Sequence, residues 1–293
     1  MSAIRIELDR VPSLARAYGR MLLTRKAGLT PDGEVPRIEV HLGGVVVERR
    51  KLDAYCRLCG FATDVLPLSY PMVLGACVNV ELMLTQQFPL SPLGMVHIGS
   101  TIEATRALGA EESLDLCSWV DGHRPVKRGV ELDLTTTVDV AGTRVWTCVN
   151  TILVRERHKS TTPPNRGRSG QTEPLSVDTR VEDWKVPKSM GRQYARVSGD
   201  YNPIHLFGPT AKLFGFPRAI AHGLWTLARC LAALGDDLPS YPLRVEANFK
   251  RPLLLPSTVR FSCKPGGMGM AFSVHSADGR MPHLLGSAIP TQS

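Results

Sequence analysis

The sequence predicts an α+β protein built from two copies of one unit, each a buried helix followed by an antiparallel sheet that can wrap it. Residues 72–84 are apolar nearly all round, with Glu81 the only charge, and residues 223–234 are apolar along a helical face. Each stretch is followed by short runs in which every second residue is apolar, with Gly-containing turns between them. Tyr55 with Cys59-Gly60 lines up with Tyr194 with Ser198-Gly199 at one constant spacing, so the second half repeats the first. One such sheet exposes an edge and a face that a second copy can cover, and the chain reads as a dimer fused into one polypeptide.

In chain order, residues 1 to about 30 carry an amphipathic helical pattern (Leu14, Tyr18, Met21, Leu22). The expectation is a helix over one edge of the first unit, with a membrane-surface helix as its competitor. Arg16, Arg20, Arg25 and Lys26 interrupt the apolar residues, so no secretory signal core forms. Residues 35–48 give two strand-like runs around Gly43-Gly44, and residues 52–59 a short helix stopped by Gly60. After the first buried helix come strand runs at 95–98, 113–120, 131–140 and 143–154, with hairpin-type turns at Asp121-Gly122 and Ala141-Gly142. Residues 155–171, rich in Pro, Gly, Ser, Thr and basic residues without periodicity, read as a linker, with docking of a carrier protein as the alternative use of the basic run. Three segments follow: an N-terminal domain over 1–155, a linker over 156–178 and a C-terminal domain over 179–293. In the second half, Pro217 is paired with Pro71 as the proline ahead of each buried helix. The interval to it is longer, and the added residues fall at Asp200 to His205. Strand runs at 243–249 and 259–263, with turns at Gly266-Gly267 and Asp278-Gly279, complete the second unit.

With 43% hydrophobic and 21% charged residues the chain is globular rather than disordered. Its net charge of +8 favours an anionic partner. Nucleic acid fits poorly, since there is no zinc-finger spacing and no RNA-binding aromatic signature. An acidic carrier protein, a phosphate-bearing cofactor such as coenzyme A, or a merely solvated basic surface all remain open. Cys56-x-x-Cys59 lacks the second pair a structural zinc site needs, and the other cysteines sit in apolar or strand-like settings, as reduced core residues do. No apolar run is long enough to span a bilayer, and a cytoplasmic location is expected. Gly266-Gly267-Met268-Gly269 is a hairpin rather than a nucleotide loop, because no Lys-Ser/Thr follows.

The segment 194–223 concentrates the chemistry. Asp200 and His205 flank Asn202-Pro203, and Ala221-His222-Gly223 leads into the second buried helix. An acid and a titratable base, with a glycine at a helix entrance, supply proton-transfer groups and an anion-binding backbone within one span. Asp-Tyr-Asn-Pro alone is also a good turn. The full string from Tyr194 through Val197, Ser198, Gly199, Asp200, Asn202, Pro203, Ile204 and His205 to Ala211 resembles the hydratase-2 motif of MaoC-like (R)-specific enoyl hydratases and dehydratases. The resemblance is dense over about 190–256 and includes Ile220-Ala221-His222-Gly223 and Lys250-Arg251-Pro252. The first half is similar to the degenerate N-terminal domain of two-domain members, and it has no Asp-x-Asn-Pro-x-His string.

The resemblance implies a double hotdog, two tandem domains in which a curved antiparallel sheet wraps a long central helix, with one active site per chain. It implies a hydro-lyase interconverting (3R)-3-hydroxyacyl and trans-2-enoyl thioesters of coenzyme A or acyl carrier protein, with no metal or redox cofactor. The carrier's phosphopantetheine arm then belongs to the substrate. It also implies that acyl groups longer than crotonyl are accepted. A carboxylate and an imidazole can hold one water and pass protons on one face of the substrate, which places Asp200 and His205 as the pair. Gly223, at the start of a helix, would donate to the thioester oxygen. Asn202 would close the turn through local backbone. His222 reads as a buttress of the helix start or a ligand-facing residue, Ser198 as a hydrogen-bonding assistant or a cap, Tyr201 as pocket wall or solvated surface. Arg251 and Lys250 read as contacts to carrier phosphates or as ordinary surface charge. The competing activities are a hotdog thioesterase and a non-catalytic thioester-binding subunit, and pairing of two chains stays open.

Overall fold

In the computed structural model the described residues are 3–30, 33–62, 66–92, 95–127, 129–155 and 179–292. The linker expected over 156–178 lies outside them. The first half contains strand β1 (Ile4–Leu8), helix α1 (Leu14–Leu23), β2 (Ile38–Val45), α2 (Arg49–Cys59), α3 (Tyr70–Leu84), β3 (Val96–Ala104), β4 (Leu114–Val120), β5 (Arg124–Val126), β6 (Gly129–Val140) and β7 (Thr143–Arg155). The second contains β8 (Arg180–Val186), α4 (Met190–Ser198), α5 (Pro203–Leu206), α6 (Gly208–Leu213), α7 (Gly223–Leu234), β9 (Leu243–Phe249), β10 (Ser257–Gly266), β11 (Gly269–Ser276) and β12 (Pro282–Pro290).

All the strands join one sheet, in the order β1-β2-β4-β6-β7-β3-β9-β12-β11-β10-β8, with β5 beside β6. Read outward from the β3–β9 junction, the two halves have the same order as far as β2 and β8, with β1 added beyond β2, and the junction pairs Gly99 with Asn248 and Ala104 with Leu243 in antiparallel register. Antiparallel pairing of equivalent strands is what a two-fold dimer gives. The fused-dimer reading therefore holds in backbone detail. At that axis Tyr55 and Tyr194, the two residues that revealed the repeat, lie with ring centroids 6.2 Å apart. The glycines that end α2 and α4 both adopt the left-handed conformation, Gly60 at φ 88° and Gly199 at φ 76°, which is why glycine closes both helices. The core spans both halves, from Trp146 and Leu82 to Phe261 and Leu227, as one contiguous cluster.

Several local expectations change. The strand runs at 35–48 are one strand, β2, interrupted by a bulge between Leu42 and Val45, where Gly44 takes φ 68° and donates its N–H to Asp115 Oδ1 at 2.8 Å. Asp121-Gly122 does not close a hairpin directly, because β5 intervenes before β6. Ala141-Gly142 does close one, with both residues at positive φ as a type I′ turn requires. Pro71 sits in the first turn of α3, whereas Pro217 lies ahead of α7 in the interval 200–222, so the two prolines are not equivalent.

The N-terminal segment departs furthest from expectation. The sheet edge is covered by β1, which pairs in parallel with β2 from Ile4↔Ile38 to Leu8↔Leu42. Helix α1 instead lies across α3, with Ala17 and Met21 against Val80 and Leu84. That contact explains why α3 is apolar nearly all round: the sheet takes one side and α1 the other. Among the described residues no helix is long and apolar enough to cross a membrane.

Candidate active site

The interval 200–222 is where the second half carries chain that the first half lacks, and the backbone folds it onto α4. Ser198 donates its hydroxyl to the Tyr194 carbonyl (2.8 Å) and accepts the Asp200 N–H (3.2 Å). Its hydroxyl is thus used to set the entry to the turn. The Asn202 N–H donates to Asp200 Oδ1 at 3.1 Å, and Asn202 Oδ1 accepts the Ile204 N–H at 3.4 Å, capping α5 with Pro203 in its first turn. These local bonds fix the spacing between Asp200 and His205. Gly191 in α4 allows α5 to lie close, since a Cβ there would run into the His205 carbonyl oxygen.

His205 is buried, and its Nδ1 lies 2.9 Å from the Ile220 carbonyl. A carbonyl only accepts, so Nδ1 carries the proton and Nε2 is left with a free lone pair. His222 stacks on His205 with centroids 3.7 Å apart and donates from Nε2 to the Asp200 backbone carbonyl at 3.0 Å. Its Nδ1 is buried and has no partner among the described residues. Asp200, His205 and His222 bring one polar side-chain atom each to within 4.8 Å of one another. Asp200 keeps 29% of its side-chain surface accessible beside a His222 at 2%, so the cluster opens on the aspartate side.

The electrostatics give each group a definite state near neutrality. Burial raises the Asp200 carboxyl, but the His222 and His205 rings, the Tyr18 hydroxyl and the Asn202 amide outweigh it and leave it below the ordinary aspartate value. Burial lowers His205, offset only in part by Asp200 and the Ile220 carbonyl. Burial, then His205, lowers His222 to about 3. The pair is therefore a carboxylate and a neutral imidazole, two proton acceptors facing one space.

Gly223 is the first residue of α7, with His222 at the N-cap. Its N–H belongs to the set at a helix start that has no intrahelical acceptor, at the positive end of the dipole. A Cβ at Gly223 would come within 3.0 Å of the Phe249 ring, which also packs on His97 of β3 at 4.8 Å. The first half thus reaches the site through β3. The structure brings Asp200, His205, His222, Asn202 and Gly223 together. Arg251 is exposed, and among the described residues no hydrogen bond or ion pair joins it to the cluster. Tyr201 is 38% exposed and so lies at the surface. Cys56 and Cys59 are buried in α2, where burial first and Cys56 second push the Cys59 thiol up to about 12, far from a reactive thiolate.

Two features were not read from the sequence. Tyr18 of α1 donates its hydroxyl to Asp200 Oδ1 at 2.5 Å. In sequence it is one more apolar-face residue of an amphipathic helix. Behind His205, Lys188, Arg192, Lys212 and Arg218 rim a half-open cleft of about 370 Å³ that also includes Leu206 and Ala219. Asp200, His205 and Gly223 are not among its walls.

Residues 168–283 match the family model described as a MaoC like domain. The chain carries a MaoC-like domain. Over 271 residues, 90% of this chain and 94% of the relative, it is 29% identical to the 3-hydroxyacyl-thioester dehydratase X of Mycobacterium tuberculosis. It is 32% identical over 162 residues to the peroxisomal enoyl-CoA hydratase 2 of Arabidopsis thaliana, covering 50% of this chain and 51% of that one. The crystal structure of HtdX from Mycobacterium tuberculosis superposes with a TM-score of 0.74 at 27% identity, covering 87% of this chain and all of that one. The architecture is a double hotdog, and the MaoC-like domain contains the whole interval from Asp200 to Gly223.

Proposed function

We propose that this protein is a hydro-lyase that interconverts (3R)-3-hydroxyacyl and trans-2-enoyl thioesters. The observation that supports this most is the meeting of a carboxylate and a neutral imidazole next to a helix start whose first N–H has no intrahelical acceptor, in a MaoC-like domain whose relatives are named for both dehydration and hydration. In the hydration direction a water is held between Asp200 Oδ2 and His205 Nε2. Its oxygen bonds to C3, one proton passes to the pair, and the pair returns a proton to C2 on the same face. The electron pair displaced from the C2–C3 double bond reaches the thioester oxygen, where the Gly223 N–H meets the developing charge. Dehydration runs the same steps backwards. Every charge that develops is met by a group of the chain, so the reaction needs no metal or redox cofactor.

His222 serves as a buttress that holds the Asp200 backbone, and Ser198 and Asn202 set the turn. The anionic end of the carrier is coenzyme A or an acyl carrier protein. The net charge of +8, Arg251 and the rim of the basic cleft favour either one. Acyl groups longer than crotonyl, a cytoplasmic location, domains over 1–155 and 179–293, and pairing of two chains complete the reading. The test is loss of enoyl absorbance with crotonyl-CoA and trans-2-decenoyl-CoA, with free thiol followed in parallel. Absorbance loss without thiol supports the lyase, and activity on crotonyl-CoA alone removes the longer acyl range. Thiol release makes the protein a thioesterase, and silence in both assays makes it a binding subunit.

A further inference from the structure

We propose that Tyr18, delivered by a helix outside both repeated units, is a positioning residue of the active site: its hydroxyl fixes Asp200 Oδ1, so that Oδ2 is the oxygen that meets water and substrate. The inference rests on the proton-transfer role given to Asp200 above. Oδ1 receives two donors, the Tyr18 hydroxyl at 2.5 Å and the Asn202 N–H at 3.1 Å. Oδ2 receives none among the described residues, and His222 Nε2 lies 3.8 Å from it, beyond hydrogen-bond reach. A carboxylate held on one oxygen only has one orientation and one free oxygen. Rotation about its terminal bond would break both bonds at once.

The segment that carries Tyr18 is anchored at four points. β1 is zipped onto the sheet edge, and Ala17 and Met21 pack on Val80 and Leu84 of α3. Arg20 reaches both carboxylate oxygens of Glu81 at 3.0 Å. Leu14 packs on Gly199, where a Cβ would come within 2.7 Å of Leu14 Cδ1. Leu14 and Tyr18, one turn apart on the same helix face, thus clamp Gly199 and Asp200. The catalytic turn belongs to the second half, but the clamp comes from the first thirty residues. The site is complete only when the N-terminal segment is docked.

The groups facing Asp200 are Tyr18 from α1, His97 from β3, Tyr194 from α4, His205 from α5 and His222 at the start of α7. Tyr18 is held in its protonated, donating form, because burial and the nearby Asp200 charge raise it. Its donation stabilises the carboxylate, so losing it moves the Asp200 titration upward.

Tyr18→Phe removes the hydroxyl and keeps the ring in the α1–α3 contact. With trans-2-enoyl-CoA, kcat should fall by about 10- to 100-fold, the range seen when a group that orients an active-site ligand is removed, while KM changes less than threefold. The acid limb of the kcat/KM profile should move to higher pH. In a double-mutant cycle, Tyr18→Phe added to Asp200→Asn should cost little more than Asp200→Asn alone. Wild-type kcat and an unmoved acid limb in Tyr18→Phe would overturn the proposal. So would a loss equal in the wild-type and Asp200→Asn backgrounds, which marks a purely structural role. Titration of the 13C-labelled Asp200 carboxyl in both proteins is independent of turnover. An upward shift in Tyr18→Phe supports the contact, and coincident curves overturn it even if the wild type shows no hydratase activity, a result that would sink the function above instead.

Discussion

The two intervals between a left-handed helix cap and a buried helix, 61–69 in the first half and 200–222 in the second, start from the same geometry and end in different chemistry. Gly60 and Gly199 close their helices alike, whereas α3 starts at an αR cap, Ser69, with Pro71 in its first turn and α7 starts at an extended cap, His222. Among its described residues the first interval has no helix ahead of α3. The second inserts α5 and α6 and returns to pair Ile220 with Leu254 before entering α7. One scaffold thus carries the inserted turn in one copy and none among the described residues of the other, and the copy without it supplies His97 and the face of α3 on which α1, outside both copies, holds Tyr18.

The comparison breaks most sharply at the inserted turn. Asp200→Asn or His205→Gln should lower kcat by about 10²–10⁴-fold, the worth of a positioned proton-transfer group, without unfolding the protein. Substitutions at Phe61 or Thr85, on the first unit's side, should leave kcat within about the threefold range of ordinary surface or packing changes and move stability instead. If Asp200→Asn turns over at the wild-type rate with its fold intact, the contrast between the two intervals has no catalytic meaning.

A subtler contrast lies one helix earlier, where the repeat aligns Leu52 of α2 with Gly191 of α4. Leu52 is fully buried in the core, whereas Gly191 is bare because α5 crosses there. Leu52→Ala should therefore cost about 2–5 kcal/mol of stability through the cavity it leaves, with kcat nearly kept. Gly191→Ala should cost about 1–3 kcal/mol by overpacking and lower kcat at least tenfold, because the new methyl pushes the His205 carbonyl and the ring with it. Urea unfolding and turnover, measured on both variants, check the pair. Equal losses of activity from the two would show that the crossing at Gly191 does not set the imidazole.

Acid should find the same asymmetry. Folded-state values lie below the ordinary histidine value for His205, for His97 (about 4) and for His222 (about 3), in each case first by burial. Above about pH 6.5 these rings are neutral in both states and contribute nothing. Below it the unfolded chain takes up protons that the folded chain refuses, so stability falls as pH falls, by about 1.4 kcal/mol per pH unit for each ring fully in its window. For His222 that window extends down to about pH 3. Asp200, also lowered, adds the same sign below the ordinary aspartate value. Urea midpoints at pH 7 and pH 5 should differ clearly in the wild type and less in His222→Phe, if that variant folds. Equal midpoints in the wild type would mean that the rings are open to water.

Much of this was legible in the residues. The repeat could be read because Tyr55 and Tyr194 sit on its axis and Gly60 and Gly199 must both be left-handed. The turn could be read because Asn202 and Pro203 act on their own neighbours. What escaped depends on contacts between distant parts of the chain. Tyr18 occupies the apolar stripe of a short amphipathic helix, where an aromatic that packs and one that donates to a buried carboxylate look alike. Pro217 looked like a helix-start proline because the length of the inserted turn is decided by tertiary packing. The bulge in β2 reads as a break in sequence because Gly43-Gly44 is a turn signal wherever no neighbouring strand is known.

The smallest effect concerns charge behind the imidazole. The interval 200–222 contributes Lys212 and Arg218 to a cleft that Lys188, ahead of α4, and Arg192, in α4, complete, and no acid stands among its walls. Arg192 is tied into the cleft wall, donating to the Leu206 carbonyl at 2.9 Å and lying over the Phe207 ring. Among the described residues of 61–69 no helix corresponds to α5 or α6, which carry the cleft's Leu206 and Lys212. If the rim draws in the phosphates of the carrier, Lys212→Glu with Arg218→Glu should raise KM for an enoyl-CoA by about three- to tenfold at low salt, and the difference should shrink as ionic strength shortens the Debye length to about 8 Å. kcat should hold, because neither side chain reaches the acid–base pair. A KM unchanged at low salt, or a change indifferent to salt, would return these four cations to the solvated surface and leave Arg251 as the better candidate for the phosphate end.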